Sequence, residues 1–133
     1  MITFAGVVAA AIFAAVAAFQ ITLAAGAPWG GLAWGGARDG RLPAPMRLGS
    51  GVAVVVLMFF ALIILAQAGV TSWSPVPTGA LRAISWAIAG FMALNTLGNL
   101  VAKSRFERFV MGSATAILVV ACIIVAIGGA GPT

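Results

Sequence analysis

Four apolar runs constrain this chain more than any other feature. They cover Met1–Ala25, Leu48–Ala68, Ala80–Val101 and Phe109–Ile127. A helix rises about 1.5 Å per residue, so roughly 20 apolar residues cross the ~30 Å hydrocarbon core of a bilayer. Val52–Leu65 is rich in β-branched and aromatic residues and in water would suggest a buried strand. A lone strand in lipid leaves its N–H and C=O groups unpaired, so helix is the reading. Composition agrees: 63% of residues are hydrophobic and 7% charged, against about 25% charged in soluble domains. The expected fold is an all-α membrane protein. Residues 1–133 form one four-transmembrane-helix bundle, with spans at about 2–25, 48–68, 80–101 and 109–127 and a Gly-rich loop at 26–47.

Local signals mark the ends of these runs. The first run lacks a basic n-region and is longer than the ~7–15 residues of a signal-peptide core, so a retained helix is expected. Gly6, Ala10, Ala14 and Ala18 recur every four residues, predicting a small-residue face for close helix packing. Pro45 suits the first turn of the second helix. Pro75 and Pro77 exclude helix between spans two and three, and Trp73 fits the headgroup level. Arg82 is expected to snorkel outward. Ser104 and Glu107 form S-x-x-E before an apolar run, predicting a capping box in which the glutamate reaches back to the cap residue. Gly128–Thr133 reads as a frayed tail.

Charge sets the orientation. The net charge is +5, and Arg38, Arg41, Arg47, Lys103, Arg105 and Arg108 all fall in the first and third loops, leaving Arg82 alone on the other side. The positive-inside rule makes those loops cytoplasmic and puts both termini on the non-cytoplasmic side. The basic residues flank apolar segments instead of forming a stripe on a soluble face. The expected partner is therefore the lipid bilayer with its anionic headgroups, and not nucleic acid.

Chemistry has few groups to work with. The chain has no histidine or tyrosine, two carboxylates and one cysteine. Histidine-ligated haem, a histidine base and an internal disulfide are excluded, and the ligands of a zinc site are missing. Cys122 lies in an apolar run and should be inert. Walker A and strand–helix G-x-G-x-x-G patterns are absent. No cofactor, no metal and no enzymatic activity are expected.

One polar constellation remains. Gln20, Asn95 and Asn99, with Ser50 and Ser113, lie within roughly 10 Å of one membrane face by helical rise. Amides inside a bilayer must find partners, so they should face the bundle interior, where hydrogen bonding between helices would account for them. The ligand-site alternative is a polar pocket roofed by the first loop, with Trp29, Gly35 and Gly36. Its rim would be Arg38, Arg41, Arg47, Arg105 and Arg108, with Ser104 and Glu107 beside it. Glycine backbones approach anions closely and arginines clamp them bidentately, so anionic lipid or a small anion is the expected occupant.

The motif A-G-A-P-W-G at Ala25–Gly30, then Gly35-Gly36, Gly40, Leu42-Pro43 and Arg47, with S-R-F-E-R at Ser104–Arg108, resembles a family of uncharacterised small bacterial four-span inner-membrane proteins. The resemblance covers nearly the whole chain and implies fold, topology and an inner-membrane location, with no activity attached. Many such sequences carry a tryptophan and a proline soon after the E-R pair, where this chain has Phe109-Val110-Met111-Gly112. The functional expectation is a structural or accessory membrane protein that binds lipid, self-associates or joins a larger membrane complex. The alternative is a small oligomeric transporter or channel.

Overall fold

The computed structural model describes residues 1–36 and 38–132. Ala37 of the long loop and Thr133 of the tail lie outside the described residues. The described residues contain no strand; one isolated bridge joins Trp29 and Gly40. Among the described residues, four helices are long and apolar enough to cross a membrane. Helix α1 spans Ile2–Ala24, α2 Ala44–Gln67, α3 Leu81–Leu100 and α4 Gly112–Gly128. A π-helical turn, Phe106–Met111, runs directly into α4, so the fourth apolar helix begins earlier than its hydropathy suggests.

Pro43 precedes α2 in extended conformation, and Pro45 occupies the first turn as expected, where its missing N–H breaks no helical bond. Both α1 and α2 stop at glycines with left-handed φ, Gly26 (99°) and Gly69 (76°). In each case the next residue's N–H reaches back to a carbonyl five residues earlier: Ala27 to Thr22 and Val70 to Leu65. This is the Schellman stop, which a Cβ would strain.

The helices follow one another around the bundle. α1 packs most extensively on α2, and α3 on α4; α1 also meets α4, while the α2–α3 seam is the loosest of the four. Phe13, Ile64, Ile88, Met92, Leu118 and Val125 fill the centre. The inner face of α1 is Ala5, Gly6, Ala9, Phe13, Val16 and Ala17. The four-residue stripe is therefore corrected: Gly6 packs tightly against Ala68, but Ala14 and Ala18 point outward. At 3.6 residues per turn a strict four-residue spacing drifts around the helix, so it cannot hold one face for four turns.

Large apolar side chains cover the outside, including Leu48, Val55, Leu94 and Phe109. A continuous exposed apolar surface is what lipid solvates and water does not. The chain has the construction of a multi-pass membrane protein. One end of the bundle, the loop end, carries residues 25–36, 38–43 and 101–111. The other, the tail end, carries both termini and the α2–α3 turn.

The tail is a further correction. It is folded: Gly129 and Gly131 are buried, Gly131 N–H donates to Gln67 O (3.0 Å), and Gly129 O accepts from Gln67 Nε2 (2.8 Å) and Arg82 Nη2 (2.8 Å). Arg82 is thus turned onto the tail instead of snorkelling free. Buried carbonyls need donors, and the Gln67 and Arg82 side chains supply them.

Candidate functional site

The long loop folds into a lid over the end of α1. Two single 3₁₀ turns, Gly30–Leu32 and Trp34–Gly36, follow the bridge residue Trp29. Leu23, Ala33 and Leu42 are buried together, with Phe19 and Met46 packed on them. This small second core orders a stretch whose composition alone suggests a flexible link.

The lid is tied to the α3–α4 turn through one peptide unit. Gly35 N–H donates to Glu107 Oε2 (3.2 Å), and Gly35 C=O accepts from Lys103 N–H (3.3 Å). Gly35 has φ 73°, and Trp34 before it has φ 52°. A bulky residue in the left-handed region is uncommon and costs free energy, so its surroundings must hold it there. Trp34 Nε1–H donates to the buried Ser50 hydroxyl (3.3 Å), and the indole lies against Gly49, where a Cβ would meet the ring at 2.9 Å.

Beneath the lid is a cavity of about 420 Å³. Its polar lining is Gln20 from α1, Trp34 from the lid, Asn95 and Asn99 from α3, and Glu107 from the π-helical turn. The remaining wall is apolar and follows the loose α2–α3 seam: Phe19, Val52, Leu57, Phe91 and Met92 are among its residues. A chamber with polar groups at one end and hydrocarbon along the rest has the layout of a site for an amphipathic molecule.

The residues named from sequence divide into two sets. Gln20, Asn95, Asn99 and Glu107 do meet in one cavity. Asn95 is exposed and Asn99 half-buried, so the amides face the open seam and not a closed interior. Asn99 Nδ2 donates to Asn95 Oδ1 (3.2 Å) and to Thr115 Oγ1 (3.4 Å); Thr115 is fully buried and also accepts from Thr96 Oγ1 (3.0 Å). Ser113 points outward.

No arginine is in the described lining, so the arginines lie outside the cavity itself. Arg47 Nε donates to Ala24 O at the end of α1 (3.0 Å), and Arg108 donates through Nε and Nη2 to Ala102 O just past the end of α3 (3.3 and 3.0 Å). Helix C-termini leave carbonyls without intrahelical partners, and guanidinium groups satisfy them. The Arg41 guanidinium lies over Gly26, while Arg38 and Arg105 are exposed. Trp29, Gly35, Gly36 and Ser104 build the lid and its dock without lining the cavity.

The capping box is half formed. Ser104 Oγ accepts from Glu107 N–H at a long 3.4 Å, but the glutamate turns away to Gly35. The lid offers an orphan N–H that competes for the carboxylate, and the following turn becomes π-helical. Glu107 is 7% exposed, and its second oxygen, Oε1, is buried with no partner. Gln20 Oε1 is likewise buried and unpartnered.

Two residues of this end escape sequence reasoning. Nothing in A-W-G-G distinguishes Trp34 from Trp29; the positive φ selects it. Thr115, in the first turn of α4 two residues after Ser113, carries no sequence signal that sets it apart. Among the described residues, no three His, Cys, Asp or Glu side chains gather as a metal site would require. No family model, curated protein or solved structure matches this chain.

Proposed function

We propose that this protein is a multi-pass component of a bacterial inner membrane that binds an amphipathic ligand without transforming it, serving as a structural or accessory lipid-binding protein. The observation that carries the reading is the cavity under the lid, polar at the loop end and apolar along the open α2–α3 seam. A lipid entering sideways would place its headgroup among Gln20, Asn95, Asn99 and Glu107 and its chain against Val52, Leu57 and Phe91. The absence of histidine and the single carboxylate in the lining favour binding over turnover, since general acid–base chemistry needs a positioned donor and acceptor pair. Exposed Arg38, Arg41 and Arg105 would meet anionic headgroups around the rim by ordinary surface attraction, which weakens as salt rises. The loop end would be cytoplasmic and both termini external.

Two measurements test this. Native mass spectrometry from mild detergent should show lipid retained by the wild type and by Val120→Trp, which alters the outer α1–α4 groove. Ala53→Trp, which fills the seam cavity, should lose that lipid while keeping its unfolding transition. Equal retention by both variants would remove the cavity as the binding site. A reporter fused to the C-terminus should be active only outside the cytoplasm; activity inside would reverse the orientation.

A further inference from the structure

We infer that the headgroup this cavity selects is a primary ammonium carried on an apolar body, and not an anion. The inference rests on the reading of the cavity as a ligand site and names the chemistry of its occupant. The decisive residue is Glu107. Oε2 is committed to the lid through Gly35 N–H, while Oε1 of the same lining residue is buried without a hydrogen-bond partner, open to a ligand only once the side chain turns toward the cavity. An unpartnered carboxylate oxygen shielded from water is among the most costly groups a fold can hold, so a donor from outside the chain is the natural complement. Gln20 Oε1 adds a second buried acceptor without a donor in that lining. The aromatic side chain of Trp34 stands in the same lining, and aromatic faces attract cations.

Other occupants fit less well. An anion placed beside Glu107 would meet a carboxylate and an unpaired amide oxygen, with no arginine or lysine in the described lining to offset them. The phosphodiester of a zwitterionic lipid would instead lie away from Glu107, beside the Asn95 and Asn99 amides. A divalent cation such as calcium takes about six to eight oxygen ligands, and the cavity has one carboxylate. A quaternary ammonium satisfies the aromatic faces but has no N–H for either oxygen. A primary ammonium supplies three donors and a positive charge in one group.

Two sources carry this chemistry: a phospholipid with an ethanolamine headgroup, or a free lipophilic amine. Lipid nanodiscs containing equal phosphatidylethanolamine, phosphatidylcholine and phosphatidylglycerol, with lipid retained on the full chain read by native mass spectrometry, separate headgroups of matched chain length. Wild type should retain the ethanolamine lipid over the choline lipid by about tenfold, the ratio that 1.4 kcal/mol represents. Glu107→Gln keeps an acceptor for Gly35 but removes the charge, and should bring the preference to within about twofold while total lipid retention persists. Gln20→Met, which leaves the lid dock untouched, should lower it about threefold. In nanodiscs of phosphatidylcholine alone, dodecylamine but not dodecanol should bind if a free amine is also accepted. Dodecylamine failing there while the ethanolamine preference holds would assign the site to the phospholipid.

Lipid retained by wild type with no headgroup preference would overturn the ammonium assignment alone. Glu107 would then serve the lid alone, through its bond to Gly35 N–H. Preference for phosphatidylglycerol surviving Glu107→Gln would do the same in favour of an anion. Loss of all retention, with Ala53→Trp indistinguishable from wild type, would instead remove the ligand-site reading beneath it.

Discussion

The two ends of the bundle treat buried polar groups in opposite ways. At the tail end, Gln67 and Arg82 converge on one carbonyl, Gly129 O, and Gly131 returns an N–H to Gln67 O. Donors and acceptors there close on each other, and the helices are clasped. At the loop end, Glu107 spends one oxygen on the lid and leaves the other unpartnered beside a cavity, as is the Gln20 carbonyl. The contrast teaches that a polar residue in an apolar bundle is diagnostic through its partners and surroundings, not its presence. Ser85, one turn into α3, is the exception at the tail end: its hydroxyl is buried and unpartnered, but it lines neither described cavity, so it marks no site.

If the tail is a clasp, breaking it should give the largest loss of stability. In Gly129→Ala the new Cβ would collide with the backbone carbonyl of Gln67 and lie 2.7 Å from that of Val125, neither of which can move freely. Overpacking plus loss of the tail's hydrogen bonds should cost about 3 kcal/mol, read as the shift in the thermal unfolding transition in detergent. A frayed tail would tolerate the change.

The second effect belongs to the loop end. Glu107→Ala removes the acceptor for Gly35 N–H and should release the lid, raising proteolysis between Gly26 and Pro43 and costing about 1–2 kcal/mol. Glu107→Gln should be within about 0.5 kcal/mol of wild type, because an amide oxygen can replace Oε2 and the dry charge disappears. Equal damage from both would mean that the charge itself holds the lid.

A glycine remote from both ends gives the comparison its control. Gly90 is exposed on α3, and an added Cβ there would meet nothing within 4 Å. Gly90→Ala should therefore gain about 0.5–1 kcal/mol in the same unfolding measurement, since alanine loses less backbone freedom in a helix. The opposite sign from Gly129→Ala would show that packing, not glycine content, makes the tail sensitive.

The smallest effect is expected at Ser104. A full N-cap is worth about 0.5–2 kcal/mol, but a 3.4 Å contact without a reciprocal glutamate should put Ser104→Ala near the lower bound, roughly 0.5 kcal/mol, by thermal unfolding. A loss nearer 2 kcal/mol would restore the capping box.

Much of this fold is legible in the residues alone. Twenty-residue apolar runs admit few structures other than helices, so the four elements are set within a few residues, and Pro45 marks the first turn of α2. Gln20, Asn95 and Asn99 are legible as a group because helical rise converts sequence position into depth, and Glu107 is legible through its S-x-x-E turn. Their facing is not legible. Depth is one coordinate, and the rotation of each helix follows from packing against its neighbours, which leaves Asn95 on an open seam.

What the sequence determined by itself was therefore the class of fold, the number of apolar helices and the level at which polar groups sit, all consequences of local periodicity and transfer free energy. Only the tertiary structure decided which partners those groups found. Arg47 and Arg108 went to carbonyls at the ends of α1 and α3, and the tail closed on Gln67 and Arg82. Glu107 turned from its own helix to the lid, with one oxygen left over. Each of these choices is made between segments distant in sequence, where hydrogen bonds compete on geometry that no local pattern encodes.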